Sequence, residues 1–165
     1  KTTATVTQVL SNNLHAKVFD RCKRLQVPAR HFTRKEFYES DTILNELKAH
    51  ADYIILAGFL WKMPSTIVTA FENRMINIHP ALLPKYGGKG MYGMHVHNAV
   101  AANKESETGI TIHYVNEHYD EGAIIFQART RLTEQDTPET IAEKIHVLEQ
   151  AHFPRVIEEV IVKNA

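Results

Sequence analysis

The chain has 165 residues, of which 44% are apolar and 23% are charged, and its 19 basic side chains balance 19 acidic ones. This size and composition predict one soluble globular domain with a substantial core. The balanced charge provides no basic field to attract nucleic acid, and the longest apolar run, residues 53–61, is too short to span a bilayer. Cys22 is the single cysteine, which excludes an internal disulfide and indicates a reducing, cytoplasmic location.

The first half of the chain alternates predicted strands and helices. Thr33 and Glu36 are spaced as a capping box at the start of a helix that continues toward His50. Residues 53–57 are almost all apolar, as expected for a parallel strand covered on both faces. The predicted order is a strand at 3–10, a helix at 16–25, an extended link at 27–29, a helix at 33–50, a strand at 53–57, a loop at 58–64, a helix reaching 71 and a strand ending at 79.

The sequence of the second half of the chain predicts a sheet edge made of antiparallel strands. After a short helix at 97–104, residues 108–115 alternate apolar and polar side chains, which is typical of a strand. A second strand at 123–132 follows a short connection, so we expect the two to pair as an antiparallel hairpin. Thr137 as N-cap and Pro138 at the first helical position begin the last helix. These patterns predict a doubly wound α/β fold with a mostly parallel sheet and an antiparallel edge.

The stretch from Met75 to Gly88 carries the clearest chemical pattern. Asn77 and His79 are two residues apart at the end of a predicted strand, so their side chains point to the same face. Pro80 then ends the strand. Because open α/β sheets bind ligands at the ends of their parallel strands, the pair predicts a site. The alternative, from these residues alone, is a capped strand whose histidine is only hydrogen-bonded.

Two motifs carry a resemblance to a known family. Residues 77–88, NIHPALLPKYGG, resemble the signature of the folate-dependent formyltransferases, and within them the branch that acts on glycinamide ribonucleotide in purine biosynthesis. Residues 109–127, GITIHYVNEHYDEGAIIFQ, resemble the second signature of the family. The resemblance covers essentially the whole chain and implies a Rossmann-like formyltransferase fold. The catalytic residues that it implies are Asn77, His79 and Asp120.

The resemblance also implies a mechanism. A formyl group would pass from 10-formyltetrahydrofolate, as co-substrate, to the amine of glycinamide ribonucleotide, and Asn77 with a protonated His79 would stabilise the tetrahedral oxyanion. A carboxylate within about 4–6 Å of an imidazole raises the pKa of the imidazole, so Asp120 is expected to keep His79 charged. Thr111 and His113 lie near the site in the family and are expected to support these groups.

Two segments are implied to form the folate pocket. The backbone of residues 60–63 would hold the pterin ring, and residues 116–120 would form the opposite wall. Trp61 stands where well-known members have a basic residue, so no contact of that side chain is carried over. Lys35 matches a basic residue near the folate tail, although a solvated helix charge is the simpler explanation of it from the sequence. The implied folate-binding residues are Lys35, Leu60, Trp61, Lys62, Met63, Asn77, Asn116, Glu117, His118, Tyr119 and Asp120.

Two further pairs of residues bear on substrate and metal binding. His146 and Glu149 match the acceptor site of the family, where the glutamate contacts the ribose; an exposed helix glutamate is the alternative. His95 and His97 form an H-x-H pair that could ligate zinc, but structural zinc needs four ligands and the chain has a lone cysteine. We therefore expect no metal, and partners that are small molecules rather than nucleic acid or membrane.

One segment of the family pattern has no counterpart among the residues of this sequence. The family has an N-terminal strand and a glycine-rich loop that cradles the substrate phosphate, and none of the seven glycines lies in such a loop. We therefore expect a single formyltransferase domain at 1–165 without that strand and loop.

The alternatives to the main function are a formyltetrahydrofolate deformylase, a formyltransferase of the methionyl-tRNA type and a non-catalytic folate-binding module. Both a monomer and a homodimer fit the sequence.

Overall fold

Short strands alternate with helices in the first half of the chain, and longer strands follow in the second half. The computed structural model describes residues 4–165. In chain order, its elements are β1 (Val9–Ser11), α1 (Val18–Leu25), β2 (Ala29–His31), α2 (Arg34–Tyr38), α3 (Thr42–His50), β3 (Ile54–Leu56), α4 (Ser65–Ala70), β4 (Met75–His79), α5 (Met94–Ala102), β5 (Glu107–Tyr114), β6 (Ile124–Arg131) and α6 (Pro138–Lys163).

The strands form two sheets. β1 and β2 are a parallel pair, in which Val9 lies opposite Ala29. The second sheet has the order β3-β4-β5-β6. In it, β3 and β4 are parallel, while β5 is antiparallel to both of its neighbours. The predicted combination of parallel strands with an antiparallel edge is therefore confirmed.

Two helices begin where the sequence indicates. The Thr33 hydroxyl accepts a hydrogen bond from the Glu36 N–H at 3.2 Å, and the Glu36 carboxylate accepts one from the Thr33 N–H at 2.7 Å. Thr137 and Thr140 form the same reciprocal pair at the start of α6, with Pro138 inside the first turn. These bonds satisfy N–H groups that have no partner within a helix.

The first strand pair differs from its prediction. The strand expected at 3–10 is limited to Val9–Ser11, and residues 1–3 of the chain lie outside the described part. The link expected after Pro28 continues as the strand Ala29–His31, because the Val9 N–H donates to the Pro28 carbonyl and begins a parallel ladder. A three-residue strand has too few alternating positions to give a periodic signal.

The helix expected from 33 to 50 is two helices, α2 and α3. The break lies at residues 39–41, where the Ser40 hydroxyl bonds to the Glu36 carbonyl and to the Thr42 hydroxyl. Such local bonds from serine offer the backbone an alternative to helical geometry. The apolar spacing continues across the break, which is why the sequence pattern does not show it.

Two apolar clusters form the core. One packs α5 and α6 against β4 and β5 and includes Ile76 and Ile110; the other packs α2, α3 and α4 against β3 and includes Phe37. The prediction that β3 is covered on both faces is wrong at Ile55, whose side chain is 38% exposed. No helix in this part of the chain is long and apolar enough to cross a membrane.

Candidate active site

β4 carries Asn77 and His79 to its carboxyl end. The antiparallel register with β5 places Asn77 opposite His113 and His79 opposite Thr111. His79 is 4% exposed, and its Nε2–H donates to the Tyr86 carbonyl oxygen at 2.7 Å. The Nδ2–H of Asn77 donates to His113 Nε2 at 3.1 Å. These bonds hold the two side chains on one face of the sheet, as their spacing predicts.

Asp120 lies between two histidines from different strands. Its Oδ1 is 3.5 Å from His79 Nδ1 and 3.6 Å from His113 Nε2, and its Oδ2 accepts a hydrogen bond from the Gly88 N–H at 3.0 Å. Asp120 has a φ of 56°, in the left-handed region that few non-glycine residues adopt. The structure thus brings together the three residues that the sequence singles out, Asn77, His79 and Asp120.

His113 has a defined role in this group. Its Nδ1–H donates to the Tyr114 carbonyl at 2.8 Å, so Nε2 of the neutral ring has the lone pair that accepts from Asn77. The 3.6 Å separation between Nε2 and Asp120 is too long for a hydrogen bond. His113 therefore orients the Asn77 amide through the lone pair on Nε2.

The protonation of His79 differs from the prediction. Burial has the largest influence and lowers the pKa of His79, while Asp120 and the Tyr86 carbonyl raise it less, so the net pKa is below the usual value. The prediction that Asp120 keeps His79 charged is therefore wrong for the net effect. For Asp120, burial opposes ionisation, but His113, His79 and the Gly88 N–H together hold the pKa of the carboxyl below its usual value. Burial thus favours the neutral ring of His79, and the groups around Asp120 favour its carboxylate.

Thr111 supports the site by holding the turn that follows β4. Its fully buried hydroxyl donates to the Ala81 carbonyl at 2.7 Å and accepts from the Leu83 N–H at 3.0 Å. The Gln127 amide donates to both the Thr111 hydroxyl and the Leu83 carbonyl. The turn that leads to Tyr86 is therefore tied to β5 and β6. Gln127 was not predicted as a site residue, because its only signal is a polar residue on a half-buried strand.

Two loops form a cleft beside Asp120. The Tyr119 hydroxyl donates to the Leu60 carbonyl at 3.3 Å and so joins loop 115–123 to loop 57–64. The two segments predicted to hold the folate therefore do meet. The cleft has a volume of about 530 Å³, which is within the range of small-molecule pockets. Its lining residues are Lys62, Gly88, Lys89, Glu117, His118, Tyr119 and Glu121.

Other predicted folate residues shape the two loops. The Asn116 side-chain oxygen accepts from the His118 N–H at 2.8 Å, which closes a local turn. Met63 is 8% exposed and belongs to the core. The Tyr38 hydroxyl donates to the Lys62 carbonyl at 2.8 Å. These contacts fix the backbone of both walls and leave the Lys62 side chain at the cleft.

Trp61 lies in an aromatic cluster beside the cleft. Its ring is 5.9 Å from that of Phe37 and 6.0 Å from that of Tyr38. The Arg34 guanidinium lies 5.0 Å from the Tyr38 ring centre and 5.7 Å from the Trp61 ring centre, within the range of cation–π attraction. Lys35, the predicted tail residue, is exposed at the next position of α2. Sequence reasoning missed Arg34, although its position four residues before Tyr38 was a signal.

The remaining predicted residues lie on the two helices that pack together. On α6, the His146 ring donates from Nδ1 to Glu149 at 3.0 Å. On α5, His97 is 4% exposed, and its Nδ1 has no hydrogen-bond partner among the described residues. His95 instead meets the Tyr92 ring edge-on at 5.0 Å, so the two imidazoles of the H-x-H pair lie in different surroundings. Residues 4–165 contain no group of three or more His, Cys, Asp or Glu placed to hold a metal ion.

Comparison with known proteins assigns the chain to a family. Residues 1–157 match the family described as formyl transferase. The chain belongs to the formyl transferase family. The phosphoribosylglycinamide formyltransferase of Bacillus subtilis is 34% identical over 154 residues, which are 90% of this chain and 76% of that protein. The chloroplastic phosphoribosylglycinamide formyltransferase of Arabidopsis thaliana is 42% identical over 135 residues, 82% of this chain. The chain spans only 44% of the length of that plant protein.

Solved structures of formyl transferases share the fold. The phosphoribosylglycinamide formyltransferase of Bacillus halodurans matches 98% of this chain and 83% of its own, with a TM-score of 0.85 and 30% identity. That of Coxiella burnetii matches 93% of this chain and 72% of its own, with a TM-score of 0.82 and 35% identity. A formyltetrahydrofolate deformylase of Pseudomonas syringae, at 22% identity and a TM-score of 0.82, shares the fold alone. The predicted family and its Rossmann-like fold are confirmed.

Proposed function

We propose that this chain carries the catalytic domain of an enzyme of purine biosynthesis. The enzyme would transfer a formyl group from 10-formyltetrahydrofolate to the amine of glycinamide ribonucleotide. The observation that carries the proposal is the group formed by Asn77, His79 and Asp120 at the end of β4, beside a cleft of about 530 Å³. The two relatives from Bacillus subtilis and Arabidopsis thaliana, both phosphoribosylglycinamide formyltransferases, support the choice of acceptor.

The proposed reaction needs hydrogen-bond donors for an oxyanion. The acceptor amine attacks the formyl carbon, a C–N bond forms, and the carbonyl electrons move to the oxygen. One N–H of the Asn77 amide bonds to His113, so the second N–H is the donor available to that oxygen. His79 supplies the other when Nδ1 has taken a proton from solvent water, and the ring gives that proton back as the oxyanion collapses. Donors of this kind contribute about 2.7–4 kcal/mol each when they are aimed at developing charge.

In the proposed reaction, Asp120 would carry a proton from the amine of the acceptor to N10 of the folate. The amine loses one proton as it becomes an amide, and N10 of the folate gains one as its bond to the formyl carbon breaks. The Asp120 carboxylate, 3.5 Å from His79 Nδ1, would accept the proton through a water and return it to N10. No covalent bond between substrate and protein is needed in this sequence.

The folate would bind in the cleft between the two loops. Lys62 and residues 116–120 would form its walls, and the stacked guanidinium of Arg34 would bind a carboxylate of the folate tail. Both side chains are exposed, but the Arg34 guanidinium lies over two aromatic rings. We therefore expect Arg34→Ala to raise KM for 10-formyltetrahydrofolate more than the matched Lys35→Ala does, with kcat unchanged in both. Equal effects of the two variants on KM would contradict the assignment.

The acceptor side of the proposal rests on α6. His146 and Glu149 bond to each other at 3.0 Å, and the Glu149 carboxylate would accept hydrogen bonds from the ribose hydroxyls.

The cytoplasmic location and the monomeric or homodimeric state stay predictions.

A formyl-transfer assay tests the proposed function. The purified protein, extended by the N-terminal segment of a relative that carries the phosphate-binding loop and given 10-formyltetrahydrofolate, should formylate glycinamide ribonucleotide and act poorly on free glycinamide. His95→Ala serves as a control, since this exposed histidine lies outside the proposed site, and should retain the activity that His79→Ala loses. Release of formate at full rate without an amine would instead indicate a deformylase, and folate binding without turnover would indicate a binding module.

A further inference from the structure

The geometry points to Tyr86 as a positioning residue: its hydroxyl, held by Glu105, fixes the carbonyl that orients His79. This inference deepens the proposed function and rests on it for the reaction that His79 serves. Neither Tyr86 nor Glu105 belongs to the group of Asn77, His79 and Asp120. They act on that group through the backbone of the turn that follows β4.

The anchor of Tyr86 is a hydrogen-bond network of four polar groups. They are its own hydroxyl, the Glu105 carboxylate, the Asn103 amide and the Lys85 ammonium. Its hydroxyl donates to Glu105 Oε1 at 2.7 Å and accepts from the Asn103 amide at 2.9 Å. The Lys85 ammonium lies 3.0 Å from the same Glu105 oxygen. Glu105 follows the end of α5 and has a side-chain exposure of 22%, so the turn is fastened to a separate part of the fold. Charged acceptors make the stronger hydrogen bonds in proteins.

The backbone of Tyr86 explains why an anchor is needed. Its φ is 55°, in the left-handed region, which costs a non-glycine residue roughly 1–2 kcal/mol. In that conformation, its carbonyl accepts the His79 Nε2–H at 2.7 Å. Gly88, two residues later, donates its N–H to Asp120 at 3.0 Å. One short turn therefore sets the orientation of both His79 and Asp120, and the side-chain bonds of Tyr86 stabilise that turn.

The charge of His79 should respond to this anchor. The groups that face the imidazole are Asp120, His113 and the Tyr86 carbonyl, and the carbonyl is one of the two that raise the pKa of His79. A carbonyl free to move would hold the Nε2–H less well. Loss of the Tyr86 anchor is thus expected to lower the pKa of His79 further. It is also expected to let the proton of the neutral ring occupy either nitrogen, instead of Nε2 alone.

The test is the Tyr86→Phe variant, which removes only the hydroxyl. NMR of the ring nitrogens of His79 during a pH titration should show a lower titration midpoint than in the wild type. In the formyl-transfer assay, kcat should fall by about tenfold, as expected when one positioning hydrogen bond is lost, with little change in KM for folate. Tyr92→Phe, at an exposed tyrosine in the same segment, should change neither quantity.

Glu105 provides the second arm of the test. Glu105→Gln keeps an oxygen that can accept from Tyr86 and should shift the His79 titration less than Glu105→Ala. An unchanged His79 titration and an unchanged kcat in Tyr86→Phe would overturn the inference, as would a lower melting temperature with the same titration, which indicates a structural role alone. If the wild type fails to formylate glycinamide ribonucleotide, the proposed function fails, while the titration still decides the role of Tyr86.

Discussion

At His79, two influences act in opposite directions on the same proton. Burial favours the neutral ring, and Asp120 favours the imidazolium. In the proposed reaction, an oxyanion forms next to the ring, and this new charge adds to that of Asp120. The proton is therefore held most strongly in the transition state, which is the condition under which a side chain accelerates a reaction rather than only binding its substrate.

The first prediction at this scale concerns turnover. His79→Ala and Asp120→Asn should each lower kcat by roughly 10²–10³-fold, because both groups act on charge that develops in the transition state. Folate affinity, measured by equilibrium binding, should change far less. Near-normal turnover in either variant would contradict the proposed roles.

The second prediction concerns stability and pH. The pKa of His79 in the folded protein lies below its ordinary value of about 6.5, so between the two values the unfolded chain binds more protons. Stability should therefore decrease as the pH falls through this window. Urea unfolding at pH 7.5 and pH 5.5 should show a smaller free energy of unfolding at pH 5.5, and a smaller decrease in His79→Gln. His97, whose pKa is also lowered by burial, adds to the decrease in both proteins, and greater stability at pH 5.5 would refute the prediction.

At the scale of elements, the site depends on how β4, β5 and the turns between them are paired. The common face of Asn77 and His79 could be predicted, because side chains alternate along any strand. The cross-strand register that brings His113 to Asn77 is not encoded in a local pattern. Tyr86 and Gly88 act through a carbonyl and an N–H, groups that every residue has, so no residue type marks their role. Asp120 was identified only through the family resemblance, since an aspartate before a glycine is typical of any turn.

Thr111 offers a test of the turn that follows β4. Thr111→Val keeps the shape but removes a buried hydroxyl, which leaves the Leu83 N–H and the Gln127 amide without that partner. We expect a loss of about 1–3 kcal/mol in the free energy of unfolding, measured by urea denaturation, and a lower kcat. Thr130→Val on the neighbouring strand is the matched control and should change stability little. Equal losses in the two variants would show that the network around Thr111 has no special importance.

At the scale of the whole molecule, the two sheets share a core cluster without sharing hydrogen bonds. Leu10 of β1 and Leu56 of β3 both pack against the cluster that contains Phe32 and Phe37. Within residues 4–165, β1 pairs only with β2, and β3 pairs only with β4, so each has one edge of unpaired backbone groups. Such edges readily accept another strand. The exposed Ile55 side chain in β3 is consistent with an incomplete covering of this region.

The last prediction follows from these edges and from the N-terminal strand and glycine-rich loop that the family resemblance implies. We predict that a further parallel strand pairs between β1 and β3. Hydrogen exchange should be compared between a protein limited to residues 1–165 and one extended by the corresponding N-terminal segment of a relative. The extension should slow exchange at residues 54–56 and allow glycinamide ribonucleotide to be formylated, because backbone N–H groups of the loop would bind its phosphate.

An internal control is available within the same experiment. β4 pairs on both sides, so the amides of residues 75–79 should be protected in both proteins. The shorter protein should exchange faster at residues 54–56 and should be poor or inactive with the ribonucleotide, since it has neither the added strand nor the phosphate-binding loop. If it instead protects residues 54–56 fully and formylates glycinamide ribonucleotide at the rate of the extended protein, the two sheets do not require a strand between them.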